Sequence, residues 1–191
     1  IDNCIVTFYN TGKVLVQGKN ATKIAETLLE EVNLSNELIL GIDEAGRGES
    51  FGSLAVCGVL AYSKTMRFCR DSKKISKARL NELAERIKQK SIAVKCIRIN
   101  SAKIDSLRAK GKTMNRIIAD AIDKIIDEMK KTGLDFEVRI DGSPLKIKHN
   151  AKFIVGGDDK DAVVAAASII AKFERQTAEQ GKRLTWKSKT N

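Results

Sequence analysis

Aromatic residues make up only 5% of the 191-residue chain. Stacking platforms of the kind that grip unpaired nucleic-acid strands are therefore scarce. There is one histidine, and the four cysteines, Cys4, Cys57, Cys69 and Cys96, form no close pair. That excludes the usual spacings of a zinc site. Cys57 and Cys96 lie in apolar, strand-like runs and are expected as core thiols, which suits a reducing, cytoplasmic setting. No apolar run approaches the roughly 20 residues that a membrane-spanning helix needs. No basic-then-apolar leader opens the chain. It starts at Ile1, as a fragment of a longer protein would.

Positive charge is in excess. Lys plus Arg number 35 against 24 acids, a formal net charge of +11. The matching pI is about 9.6. A polyanion is the natural partner for such a surface, with nucleic acid first among candidates. Hydrophobic residues, at 42%, are enough to build a core.

Strands and helices alternate along the chain, so the class is α/β. "IVTFY" and "KVLVQ" flank Asn10-Thr11-Gly12 and predict a β-hairpin. A helix is expected over 21–32, after Asn20. Two strands and one helix are marginal as an independent domain. The division expected is a hairpin-plus-helix segment over 1–35, a short linker, and a main domain over 38–191. In the main domain "LILGID" reads as a buried strand and "LAVCGVLAY" as the next. Helical spacing marks 76–90 and 113–131, and "IAVKCIRI", "FEVRID" and "KFIV" read as strands between and after them. A helix over 161–179 begins "AVVAAASIIA", so its first half must be buried.

Acids close two of the apolar runs, Asp43 with Glu44 and, further on, Asp141. Asp158, Asp159 and Asp161 precede the buried helix. A buried carboxylate is costly, and neighbouring carboxylates raise one another's pKa. Lysine and arginine partners could neutralise them, and so could divalent cations. An oxygen-only donor set favours Mg²⁺ or Mn²⁺. Two such ions roughly 4 Å apart serve phosphodiester cleavage. Each acid also has a plain structural reading. Asp141-Gly142 could be a turn pair, and the acids at 158–161 could cap the following helix.

In order, "GIDEAGRG" with "FGS", "DSKKIS", "RIDGS" and "DDKDAVVAAASIIAK" resemble the type 2 ribonuclease H family, ribonucleases HII and HIII. "FYNTGKVLVQGKNA" resembles the last hairpin of the small substrate-binding domain of ribonuclease HIII. The resemblance implies a ribonuclease H-like fold, a mixed central sheet flanked by helices. It implies catalytic, metal-holding acids at Asp43, Glu44, Asp141 and Asp158, with two Mg²⁺ or Mn²⁺ ions. Gly46, Arg47 and Gly48 match the turn that reads a ribose 2′-hydroxyl, the group that separates RNA from DNA. Ser72, Lys73 and Lys74 match a phosphate-contacting stretch, and Ser168 and Lys172 could act likewise. The implied reaction is hydrolysis of the RNA strand of an RNA/DNA hybrid or RNA-containing duplex, by a protein expected to be monomeric. The chain departs from the family in having Ser53 where a proline is usual. It also has no tyrosine after residue 175, where Trp186 is the sole aromatic. The alternatives are a hybrid- or duplex-binding module of little activity, and a metal-dependent nuclease acting on DNA.

Overall fold

The computed structural model describes residues 4–9, 14–32, 37–69, 76–178 and 181–185. The predicted turn at 10–12, the linker at 33–36, Ser72, Lys73, Lys74 and Trp186 lie outside them. Two compact units divide at Ser35 and Asn36. In the first, β1 (Cys4–Phe8) and β2 (Val14–Gly18) pair antiparallel, and α1 (Ala21–Val32) follows.

The second unit is built on five strands. They are β3 (Leu38–Ala45), β4 (Leu54–Tyr62), β5 (Ala93–Ile99), β6 (Glu137–Asp141) and β7 (Lys152–Ile154), in the order β5-β4-β3-β6-β7. The β3–β4 and β4–β5 pairs are antiparallel, and the β3–β6 and β6–β7 pairs parallel. The sheet is thus mixed. Its helices are α2 (Lys77–Lys90), α3 (Ser101–Ala109), α4 (Met114–Lys130), the short α5 (Gly157–Lys160) and α6 (Ala162–Gln176). Ser76, Asn100, Thr113 and Asp161 cap α2, α3, α4 and α6 by accepting backbone N–H bonds. Three elements had no clear sequence signal: α3, α5, and a 3₁₀ helix over Ser63–Cys69. No helix among the described residues is long and apolar enough to cross a membrane.

Strand alternation sorts the core into two layers. Ile39, Ala55, Cys57 and Val59 pack with α2 and α6 on one face. Leu40, Ile42, Leu54 and Val56 pack with α3 and α4 on the other. Helix α6 is apolar almost all round over its first ten residues because it lies hard against β3. At Gly41 an added Cβ would stand 2.5 Å from the Val163 backbone carbonyl carbon and oxygen.

The cysteines differ from expectation. Cys57 and Cys96 are partners in the β4–β5 register, 4.2 Å apart at Cα, and form a disulfide. Pairing across the sheet brings together residues 39 apart in sequence, which spacing alone does not reveal. The thiol argument for a reducing compartment loses its basis for this pair.

Gly41→Ala should destabilise the protein by about 3 kcal/mol, because the clash is with backbone and cannot be relieved by a rotamer change. Urea denaturation checks this, and Val163→Ala should give no rescue. A variant as stable as wild type would mean that α6 can lift off β3.

Candidate active site

Strand β3 runs two residues beyond its expected end at Asp43, so Glu44 also belongs to the strand. Neighbouring side chains on a strand point to opposite faces. Glu44 takes the parity of Leu40 and Ile42, and Asp43 that of Ile39 and Gly41, toward α6. There the Ser168 hydroxyl hydrogen-bonds Asp43. Asp43 is buried, and its Oδ1 also accepts from the Glu44 amide at 2.7 Å. Burial pushes its pKa up to about 7, against the Ser168 hydrogen bond and with help from the charges of Asp141 and Glu44.

Asp141 ends β6, which pairs parallel with β3 up to Ile42 opposite Ile140. The next residues on the two strands are Asp43 and Asp141. They lie at the carboxyl ends of adjacent parallel strands, where open α/β sheets place their ligands. Asp141 Oδ1 accepts from the Gly157 amide at 2.5 Å, which docks α5 against this edge. Asp158, half-buried, follows directly in α5. Burial also raises the pKa of Glu44. The charge and hydrogen bond of Arg47 oppose the rise, and the charge of Asp141 adds to it. Arg47 Nη1 stands 3.1 Å from Glu44 Oε1, and its Nη2 donates to Asn115 Oδ1 at 2.7 Å.

Asp43, Glu44 and Asp141 are thus brought together, with Asp158 one residue beyond the Gly157 contact. Asp161 is a structural acid. It caps α6 through the Val163 and Val164 amides and pairs with Arg139 Nη1 at 2.8 Å. Ser168 faces inward to Asp43, whereas Lys172, one turn on, is exposed. Among the described residues, no three His, Cys, Asp or Glu side chains are gathered closely enough to grip a metal unaided. The donor chemistry nevertheless fits a hard cation. The carboxyls offer oxygen donors only, and burial with the charge of Asp141 pushes Asp43 and Glu44 toward their protonated forms, a cost that an added positive charge would relieve.

The Gly46–Gly48 turn is braced from behind. Gly46 has φ +94°, and a Cβ there would stand 2.6 Å from both Arg175 Nε and the Ser53 carbonyl oxygen. At Gly48 nothing lies within 4 Å of where a Cβ would be. Arg175 Nη2 donates to Glu49 at 2.8 Å. Arg183, buried, donates from Nε to the Gly52 carbonyl at 2.9 Å and from Nη1 to the Glu49 carbonyl at 2.8 Å. Its backbone amide donates to the Ser50 carbonyl, and Gly52 N donates to Gly181 O. The same tail segment is tied to α3 by Asp105, which accepts from the Leu184 and Thr185 amides. Sequence reading missed Arg175, Arg183, Asp105 and Asn115. Only Arg139, a charge inside an apolar strand, carried a signal, because it had to find partners.

An α/β domain with paired carboxylates at the ends of adjacent strands, beside a glycine turn, fits the nucleases that use hard cations. Residues 40–187 match the ribonuclease HII family, and the chain belongs to it. Residues 1–37 match a separate family described as a domain of unknown function, DUF3378. A ribonuclease HIII of Staphylococcus saprophyticus is 29% identical over 205 residues, covering 88% of this chain and 66% of that protein. The chain thus spans just under two thirds of that relative's length. A ribonuclease HII of Archaeoglobus fulgidus, solved in complex with PCNA, is similar with a TM-score of 0.65 and 32% identity, over 74% of each chain. Bst ribonuclease HIII, solved with Mn²⁺, has a TM-score of 0.68 over 93% of this chain and 70% of that one; at 18% identity the likeness is one of fold alone.

The metal-free protein should lose stability as pH rises from about 4 to about 7, the window set by the ordinary and the native pKa of Asp43. In that window the native state binds a proton that the unfolded state has released, so the slope is negative, amounting to at most about 4 kcal/mol. Urea melts in EDTA at pH 5 and pH 8 measure it, and Asp43→Asn should flatten the difference. Equal pH dependence in both proteins would mean that Asp43 ionises as freely as an exposed acid.

Proposed function

We propose that this chain hydrolyses the RNA strand of RNA/DNA hybrids, leaving 5′-phosphate and 3′-hydroxyl ends. Asp43, Glu44, Asp141 and Asp158 would hold two Mg²⁺ or Mn²⁺ ions. The observation that carries this reading is the burial of Asp43 against Asp141 and Glu44 in a protein of net charge +11. A phosphate-binding surface has no use for a buried carboxylate beside two others unless cations sit between them and the phosphate. The bound ions would supply Lewis acidity and charge neutralisation for hydrolysis. The Mn²⁺ in the Bst ribonuclease HIII structure suits the same donor chemistry.

The chain's own groups do the rest. Ser168 orients the Asp43 carboxylate from α6. Arg47 balances Glu44 and, held by Asn115, keeps the turn facing the acids. The open side of Gly48 supports close backbone approach to a ribose. Reading of the 2′-hydroxyl by that turn would select RNA over DNA. Ser72, Lys73, Lys74 and Lys172 remain the proposed phosphate contacts along the strand.

The test uses three labelled duplexes: an RNA/DNA hybrid, all DNA, and DNA with one ribonucleotide. Each is incubated with Mg²⁺, Mn²⁺ or EDTA. Cutting of the hybrid, absent in EDTA and absent from all-DNA, is expected. Asp43→Asn should remove cleavage and leave hybrid binding within about twofold, since one carboxylate contributes little to duplex affinity. Salt-sensitive binding without cutting would mark a binding module, and cutting of the all-DNA duplex a general nuclease.

A further inference from the structure

Five consecutive carbonyls behind the glycine turn, Glu49 to Ser53, are held by two arginines. Arg183 takes three of them. Its Nη1 donates to Glu49 O at 2.8 Å, its backbone N to Ser50 O at 2.9 Å and its Nε to Gly52 O at 2.9 Å. Arg175 takes the other two at longer range, Ser53 O from Nε at 3.3 Å and Phe51 O from Nη2 at 3.4 Å. The first three have ordinary N–H···O lengths and the last two lie beyond them, so Arg183 is the firmer hold.

Alternation along the tail aims Arg183 there. Lys182 and Leu184 are exposed, whereas Arg183 between them is buried. Phe51 bridges Lys182 antiparallel, which lays the tail along the turn. Helix α3 fixes the tail on both sides of Arg183. Asp105 accepts from the Leu184 and Thr185 amides, and Ser101 Oγ leaves no room for a Cβ at Gly181.

The turn needs such anchors. Gly46-Arg47-Gly48 has two glycines in three residues, and a stretch so free in φ and ψ keeps one shape only if its flanks are fixed. On one side Gly46 packs on Arg175 Nε and the Ser53 carbonyl. On the other, the carbonyl of Glu49, next after Gly48, is pinned by Arg183. Stability gives no reason for an arginine at 183. Burial and the charge of Arg175 hold its pKa below the usual arginine range, and its Nη2 is buried with no hydrogen-bond partner. A buried cation with a spare N–H is costly, and an apolar side chain of similar volume is often as stable in such a place. What an arginine supplies is a rigid fork that reaches two carbonyls at once.

We propose that Arg183 is a positioning residue for RNA selection: it fixes the Gly46–Gly48 turn and through it sets the preference for ribose over deoxyribose. The proposal rests on the reading of that turn as the 2′-hydroxyl contact. Arg183, being buried, touches no sugar itself.

Binding of an RNA/DNA hybrid and of an all-DNA duplex of the same sequence is measured by fluorescence anisotropy in EDTA. Wild type should prefer the hybrid. Arg183→Lys keeps the charge but not the fork, and Arg183→Met keeps neither. In both, the preference should fall about fivefold, the scale of one net hydrogen bond, with affinity for all-DNA within about twofold of wild type. Asp105→Ala, which frees the tail at α3, should lower the preference in the same direction. The urea midpoint of Arg183→Met should match or exceed that of wild type. An unchanged preference in the three variants overturns the role of Arg183, and so does equal weakening toward both duplexes with a lowered midpoint; the nuclease reading stands in either case. A wild type that binds both duplexes alike overturns the role together with the turn's reading. Cleavage is scored separately with Mg²⁺ or Mn²⁺. If the preference shifts as stated but no duplex is cut, the nuclease reading fails and the positioning role stands.

Discussion

A carboxylate buried at the end of a strand costs free energy unless its charge is held or its proton kept. Asp43 is held by Ser168 from α6 and by the amide of Glu44, and is pressed by the charges of Asp141 and Glu44. That balance needs α6 to lie against β3, which needs a residue without a side chain at Gly41. It also needs β6 beside β3 in parallel register, so that two strands end in acids at the same edge. The docking of α5 onto Asp141 through Gly157 leaves Asp158 one residue beyond that contact. The mixed order of the sheet follows from the same requirement. The antiparallel strands β4 and β5 lie on one side of β3, which leaves its other side free for β6.

Much of this was legible. Apolar runs ending in Asp43 and Asp141, and an apolar helix preceded by acids, are local patterns, and local patterns survive folding. The buried acids were singled out because their cost is a matter of elementary solvation. The resemblance singled out Asp158 among the three acids, and the structure alone gives Asp161 its separate role. Asp161 spends its oxygens on the α6 amides and on Arg139, and nothing in the string of letters assigns those partners. Register is the other hidden quantity. It joined Cys57 to Cys96 in a disulfide where two separate thiols were expected. It also put Glu44 in one row with Val56 and Ile97.

The basic excess divides once the fold is known. Part of it is spent internally. Arg139 gathers Glu37, Glu137 and Asp161, and Arg175 and Arg183 support the carbonyls behind the glycine turn. Lys103, Lys124 and Lys172 remain exposed on the surface. Net charge therefore overstates the cations open to an outside partner, and a residue-by-residue account is the better guide to where one would sit.

The stretch from Gly181 to Thr185 contributes no strand to the central sheet, yet it props the turn beside the acids. Its members carry unequal duties. Leu184 leaves 81% of its surface in solvent, while Arg183 leaves 2%. In a library randomised across this stretch and sorted for turnover, position 184 should drift freely and position 183 should return to arginine. A short, irregular length of backbone would thus be policed at a single letter.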